Sequence, residues 1–283
     1  FGGSAELSYG NFNAIVAKAD ITGPISDIVA FGLSANLNKR DGYVRDLGTN
    51  RDSNERDRWG VRGQLLIEPS DTLELRFIGD YDKIDEECCA VVNLVDGPTG
   101  GAVRALGGNL VSNDPFARTS FTNFPSTNEI ENFGVSLQTD YSTGPFDITS
   151  IVSYRGVRSD TNADSDFTSA DLIGVNRGTA ALDTYTAEVR VASDFDGPFN
   201  FLVGGYYFKE DIQQSGSLLY GADFKGYADL LSGGGYSGSE ATLRFLIPSP
   251  PAGTFGGEGQ GRFTSFDYAN TSYSLFGQMD FEI

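Results

Sequence analysis

Between residues 160 and 166 the chain reads Asp160-Thr161-Asn162-Ala163-Asp164-Ser165-Asp166, with Asp171 beyond. Asp160, Asn162, Asp164 and Asp171 fall at positions 1, 3, 5 and 12 of the spacing by which an acidic loop offers oxygen ligands to Ca²⁺. Position 6 is Ser165 where that loop wants Gly for its sharp turn, position 12 is Asp rather than Glu, and no flanking helix is expected. A solvated acidic loop accounts for the same residues, so calcium stays a candidate and no metal site is assigned.

Other chemistry-bearing groups are sparse. Gly233-Gly234-Gly235-Tyr236-Ser237-Gly238 matches GxGxxG, but a dinucleotide site needs that motif between a strand and a helix; a loop of Gly and Ser explains it. Cys88 and Cys89 are adjacent, which fits neither a zinc framework nor a CxxC redox motif. Such a pair either bridges itself through a strained small ring, which suits an oxidising compartment, or stays free. Lys39, Arg40, Arg45, Arg51, Arg56 and Arg58 interleave with Asp41, Asp46, Asp52, Glu55 and Asp57. That run is expected to be a self-paired, solvated loop, the alternative being contacts to lipopolysaccharide or an anionic ligand. Glu86 and Glu87 are neighbours on an expected strand and point to opposite faces, so they form no acid–base pair. The chain has no His, and no nucleophile has a visible base. No enzyme is indicated and no cofactor is called for.

The elements that carry these residues follow from patterning. The chain has 283 residues, with 20 Lys and Arg against 39 Asp and Glu, a net charge of −19. That balance excludes a general nucleic-acid binder, which needs basic residues to meet phosphate. No run approaches the ~20 apolar residues of a spanning helix, and no basic-then-apolar signal segment follows Phe1. Alternation at period two dominates instead. Phe31, Leu33, Ala35 and Leu37 oppose Gly32, Ser34, Asn36 and Asn38. Phe133, Val135, Leu137 and Tyr141 oppose Asn132, Gly134, Ser136, Gln138 and Asp140. Tyr185, Ala187, Val189 and Val191 oppose Thr184, Thr186, Glu188 and Arg190.

Ten strands are predicted, near 2–10, 12–21, 27–39, 58–68, 73–82, 130–142, 146–159, 181–193, 199–212 and 270–283. Four connections are tight: Thr22-Gly23-Pro24, Pro69-Ser70-Asp71, Ser142 to Pro145 and Asp194 to Pro198. Between them lie Asp41 to Asp57, Lys83 to Glu129, Asp160 to Ala180 and Gln213 to Tyr268, several times the usual ~4–6 residues. Short and long connections in alternation, joining strands with one apolar and one polar face, predict an all-β, partial transmembrane antiparallel β-barrel with short periplasmic turns and long extracellular loops. Tyr9, Tyr43, Trp59, Tyr81, Tyr141, Phe146, Tyr154, Phe199, Tyr273 and Phe281 lie near predicted strand ends, where aromatic girdles belong. Asn36, Gln64, Glu74, Arg76, Gln138, Glu188, Arg190 and Gln278 would face the lumen. A soluble β-sandwich or propeller also alternates, but it has short loops at both ends.

Particular residues then carry a resemblance. Ala5-Glu6-Leu7-Ser8-Tyr9-Gly10-Asn11-Phe12 with Lys18-Ala19-Asp20-Ile21-Thr22-Gly23-Pro24-Ile25 resembles the start of the barrel in TonB-dependent outer-membrane receptors. The likeness continues in Lys39-Arg40-Asp41-Gly42-Tyr43, Trp59-Gly60-Val61-Arg62-Gly63-Gln64-Leu65 and Glu68-Pro69-Ser70. It recurs in Glu188-Val189-Arg190-Val191-Ala192-Ser193-Asp194-Phe195, Val203-Gly204-Gly205-Tyr206-Tyr207-Phe208 and Ser274-Leu275-Phe276-Gly277-Gln278. The long loops resemble nothing nameable.

The resemblance implies a location in the outer membrane of a Gram-negative bacterium, among its lipid and lipopolysaccharide. It implies uptake of a scarce nutrient such as a ferric siderophore, cobalamin or oligosaccharide, energised through the TonB–ExbB–ExbD complex. Such receptors have a 22-stranded barrel around a plug. Here no plug with its TonB box is recognised, about ten strands are seen, and Ile283 is not the aromatic terminal residue common in this class. Residues 1–283 are therefore expected to be one partial barrel domain, the N-terminal part of a longer one. The alternatives are a passive porin-like channel and a secreted or surface β-structural binding protein. Neither the substrate nor the residues that contact it are assigned.

Overall fold

The computed structural model describes residues 1–247 and 255–282. In chain order the strands are β1 (Gly2–Gly10), β2 (Ala14–Ser26), β3 (Val29–Arg40), β4 (Val44–Asp46), β5 (Arg51–Ser53), β6 (Arg56–Ser70), β7 (Leu73–Glu87), β8 (Thr119–Ser120), β9 (Thr127–Ser142), β10 (Phe146–Asn162), β11 (Ile173–Ser193), β12 (Phe199–Tyr220) and β13 (Gly261–Phe281). Helix α1 is Pro98–Ala105, α2 is Phe224–Ser232 and α3 is Gly235–Leu246. Ten of the strands form one sheet in the order β1-β2-β3-β6-β7-β9-β10-β11-β12-β13. Every neighbouring pair in it is antiparallel, and the sheet does not close. The three short strands make a separate small sheet, β5-β4-β8.

The register joins the alternating faces into continuous bands. Phe31, Leu65, Phe77, Leu137, Val152, Ala187, Tyr207 and Tyr273 are successive cross-strand partners. On the other face the line runs Ser4, Asp20, Ser34, Arg62, Asp80, Gly134, Arg155, Thr184, Glu210, Asn270. Because side chains alternate along a strand, a one-residue slip anywhere would mix the two faces.

The apolar face has no core beneath it. Among the described residues the buried hydrophobic ones are Val44, Ala102, Val103, Leu110, Ala170 and Leu172, all in the long connections or their small elements. On the sheet, Leu33 is 52% exposed, Val135 60% and Val189 49%. A soluble sandwich buries such a face against a second sheet; here the face is left for an apolar solvent. Its height suits a membrane: the pairs Leu73–Tyr141 and Tyr81–Phe133 stand eight residues apart. At ~3.3 Å per residue and a tilt near 40°, that is about 20 Å, close to the ~25 Å apolar band of spanning barrels.

Aromatic rings border the band. Toward the long connections, Trp59 meets Tyr81 at 5.2 Å, Phe133 meets Tyr154 at 5.9 Å and Tyr154 meets Tyr185 at 4.9 Å. At the short-turn end, Phe146 contacts Phe195 at 5.5 Å and Phe201 at 6.3 Å. Phe133 and Tyr185 join the rings expected from sequence, whereas Tyr43 lies beyond the strands, 5.9 Å from Phe12.

Three details differ from expectation. Thr22-Gly23-Pro24 does not turn the chain but lies within β2, with an irregular register near Pro24, and the turn is Asp27-Ile28. Pro69 and Ser70 likewise end β6, and the turn follows at Asp71-Thr72. The strands also outrun their apolar stretches, β12 reaching Tyr220 and β13 starting at Gly261. In that extension Gln213 to Ser217 pair with Asp267 to Phe263, and the β12 side is polar on both faces, so there is no alternation to read. The predicted end of the last strand at Ile283 lies outside the described residues, as does part of the Gln213–Tyr268 connection.

No described helix is long and apolar enough to cross a membrane, which says nothing of strands.

Candidate functional site

Two surfaces are built by this sheet: the polar face and the cap made by the long connections above it. On the polar face Arg155 Nη2 lies 2.9 Å from Asp80 Oδ1. Asp140 accepts from Thr149 Oγ1 at 2.7 Å and Gln138 Nε2 at 2.6 Å. Glu74 pairs with Arg76 at 3.0 Å and Glu188 with Arg190 at 3.7 Å. Gln278 Nε2 donates to Asp280. Glu74, Arg76, Gln138, Glu188, Arg190 and Gln278 are residues the sequence placed toward the lumen, and the sheet aligns them on one side with Asp80, Asp140, Thr149 and Arg155. Their mutual bonds make a polar, charged wall.

The connections do not hang free. Residues 41–55 and 88–126 share the β5-β4-β8 sheet, whose Asp46 is 3% exposed. Burial pushes the Asp46 carboxyl up, but hydrogen bonds from the Thr49 N–H and the Ser120 and Thr49 hydroxyls outweigh it and hold the group below its usual range. The segments 98–110, 163–172 and 221–232 meet in a small core of Val103, Leu110, Ala170 and Leu172, with Leu106 and Tyr227 against it.

Carboxylates stitch that core's edge. Asp164, fully buried, accepts the N–H groups of Asn123, Asp166 and Phe167. Burial, and then the charge of Asp166, push its pKa up to about 6. Asp166 accepts from the Ile173 N–H and from Thr168, and burial raises it as well. Asp171 accepts from Asn123 Nδ2 at 2.8 Å and the Ala222 N–H at 2.9 Å, while Asp223 receives the Asp171 N–H. A cavity of about 270 Å³ lies beside this knot, walled by Val103, Leu110, Leu172, Phe224, Tyr227 and Asp166.

The residues at the calcium spacing are each engaged with other partners. Asp160 is ion-paired with Arg177, Asn162 accepts the Asn176 N–H, and Asp164 and Asp171 hold the bonds just described. Among the described residues no group of three or more His, Cys, Asp or Glu is placed to hold a metal. β10 continues to Asn162, so Asp160 and Asn162 stand on a strand rather than in a loop.

Cys88 and Cys89 are joined as a vicinal disulfide. The Cys89 and Ala90 N–H groups both donate to Asn54 Oδ1, and the Cys88 N–H donates to the Ser126 carbonyl. The bridge thus lies where the 41–55 and 88–126 connections touch.

The GxGxxG match is not an open loop. Gly233 and Gly234 have φ of 61° and 84° and form the corner between α2 and α3, a pair of left-handed residues for which Gly is suited. Lys225 on α2 reaches Glu240 on α3 at 3.0 Å and Ser237 at 2.6 Å. A helix precedes the motif, so no strand delivers it to a nucleotide.

The basic run is largely self-paired. Lys39 meets Asp57 at 2.6 Å, Arg45 meets Asp52 at 3.1 Å, and Arg51 meets Glu87. Arg58 grips Glu86 with two bonds, of 2.5 and 2.8 Å. Glu86 and Glu87 therefore turn to different arginines. Sequence reasoning missed Asn123, Asp223 and Tyr227, whose partners here lie tens of residues away and leave no local pattern.

No protein-family model matches the chain, and no curated protein sequence matches it. Solved structures do match. The ferric yersiniabactin uptake receptor FyuA of Yersinia pestis superposes on 98% of this chain, with a TM-score of 0.59 and 11% identity. The siderophore receptor PiuA of Acinetobacter baumannii also covers 98%, with a TM-score of 0.61 and 13% identity. The fold is that of part of a TonB-dependent receptor barrel. The ferripyoverdine receptor of the Pseudomonas aeruginosa outer membrane matches 76% of the chain, with a TM-score of 0.58 and 14% identity. This chain spans about two fifths of the length of the first two receptors, 42% and 40%.

Proposed function

We propose that this chain forms one barrel portion, residues 1–283, of an outer-membrane receptor that imports a scarce nutrient, energised by TonB. The observation that carries this reading is the two-faced sheet with its cap. An apolar band about 20 Å high and bordered by aromatic rings faces lipid. The opposite face is a charged, hydrated wall, and the long connections at one end are knotted into a cap. The superposition on nutrient receptors over nearly the whole chain supports the same reading.

The partners that follow are outer-membrane lipid and lipopolysaccharide around the band, and the TonB–ExbB–ExbD complex on the periplasmic side. The substrate meets the cap first; ferric siderophore, cobalamin and oligosaccharide are the classes considered. The cap side is then extracellular and the short turns are periplasmic. Transport of this kind requires no acid, base or nucleophile from the barrel wall.

The test is growth on a panel of scarce nutrients by cells carrying the native protein, with and without functional TonB. Growth that needs both the protein and TonB supports the reading. Diffusive uptake unchanged by loss of TonB would instead make the protein a channel.

A further inference from the structure

We propose that Arg40 and Arg56 form a binding site for a multivalent oxyanion, a carboxylate- or phosphate-bearing ligand, at the cap end of the polar face. The two residues are the last cross-strand pair of β3 and β6, so their side chains leave the sheet on the same side. That side is the polar one, shared with Ser34, Asn36 and Asn38 on β3 and with Arg58 and Arg62 on β6.

Two like charges placed directly opposite each other oppose strand pairing. Their neighbours show how this chain otherwise handles cations: Lys39, Arg45, Arg51 and Arg58 each have a carboxylate. Arg40 and Arg56 have none among the described residues. Arg40 is held by neutral groups, its Nη2 donating to the Asn54 carbonyl at 2.7 Å and its guanidinium lying 4.9 Å from the centre of the Tyr43 ring. These contacts fix its position and leave its charge uncompensated. The Nε atoms of both residues are buried without a hydrogen-bond partner. Buried donors in native proteins are nearly always answered, and an unanswered pair on two arginines that are cross-strand partners is one that a bound anion would answer.

Guanidinium is suited to that ligand. Its fork of donors matches carboxylate and phosphate oxygens two at a time, and two forks together select an anion with several oxygens over a halide. The site rests on the receptor reading and deepens it, giving the imported ligand a charge class. In a chain of net charge −19 a paired cationic spot at the mouth would also attract anions that the rest of the surface repels.

The experiment uses the native protein in detergent at fixed ionic strength, titrated calorimetrically with citrate, with inorganic phosphate, and with uncharged triethyl citrate. Citrate or phosphate is expected to bind and the ester is not; the better of the two anions tells carboxylate from phosphate. R40Q and R56Q should each weaken binding by at least about tenfold. The double variant should lose little more than either single one, because both residues serve one ligand. R45Q, at an exposed paired site, should bind as the native protein does. The ligand-free R56Q protein should also melt higher than the native one, since the like-charge pair is relieved.

No binding of either anion, single variants that bind as tightly as the native protein, or a lowered melting point for ligand-free R56Q would each overturn the proposal. Uptake that proves independent of TonB would remove the receptor reading and leave this binding result standing.

Discussion

Arg155 reaches across Gly134 to place its guanidinium 2.9 Å from Asp80, two strands away. The three residues lie in one cross-strand line, and the middle one has no side chain. A Cβ at Gly134 would stand 2.8 Å from Arg155 Nη2, so a larger residue there blocks the crossing. The inner wall is thus cross-braced over three strands by a glycine's absence of bulk. Replacing Gly134 by Leu should uncouple the pair as thoroughly as Asp80→Asn does. A double-mutant cycle on Asp80 and Arg155, read by urea unfolding in detergent, should give a coupling below about 1 kcal/mol, because Arg155 is half exposed. In the Gly134→Leu background that coupling should fall to zero. Persistent coupling would mean the arginine takes another path.

Leu137 and Gln138 are neighbours on β9 with opposite surroundings. Leu137 continues the apolar line between Phe77 and Val152, and Gln138 bonds Asp140 on the polar face. Leu137→Arg should cost about 2–4 kcal/mol and impair membrane assembly, the price of a cation near mid-membrane. Gln138→Arg should assemble normally. The yield of heat-modifiable, protease-resistant protein in outer-membrane fractions distinguishes the two; equal yields would remove the assignment of faces.

The cap should tighten as pH falls. Asp164 has a pKa raised to about 6 in the fold against 3.8 for the free group, so the folded cap favours its neutral form. Its contribution is fully present below the unfolded value and is lost as pH rises through about 6. The difference is on the order of 3 kcal/mol for a fully linked group. Hydrogen-exchange protection of the Asn123 and Phe167 amides, corrected for intrinsic rate, should be higher at pH 5 than at pH 7.5. In Asp164→Asn the protection should lose this pH dependence, whatever its absolute level. Unchanged dependence would place the titrating group elsewhere.

The Cys88–Cys89 bridge closes almost no loop, so by chain entropy it adds little global stability. Its influence should be local, through the Asn54 and Ser126 contacts at the meeting of the 41–55 and 88–126 connections. A C88S/C89S variant is expected to keep its unfolding midpoint while residues 88–92 become readier targets for limited proteolysis. A lowered midpoint with unchanged proteolysis would reverse that picture.

What could be read from sequence follows from the physics of each part. Alternation was legible wherever one face meets lipid, as from Phe133 to Tyr141, and the ten strands and their order follow from it. It faded above the membrane, where Gln213 to Ser217 carry no apolar face and β12 nevertheless pairs on to Tyr220. Pro24 and Pro69 suggested turns two or three residues early, because a strand-end proline tolerates the last pair before the chain reverses. The α2–α3 corner hid behind its glycines. The cap was least legible: Asp164 finds Asn123 across 41 residues and Asp171 finds Ala222 across 51, and no local spacing encodes either meeting.

The most direct measurement is accessibility along β9 in native outer membranes, with a spin label placed in turn at each position from Phe133 to Tyr141. Labels at Val135 and Leu137 should relax preferentially with lipid-dissolved oxygen, and labels at Gly134, Ser136 and Gln138 with a water-soluble nickel chelate. A period of two in that ratio is the predicted result for a strand between lipid and a hydrated interior. Uniform access to the chelate at every position would contradict a membrane-spanning sheet.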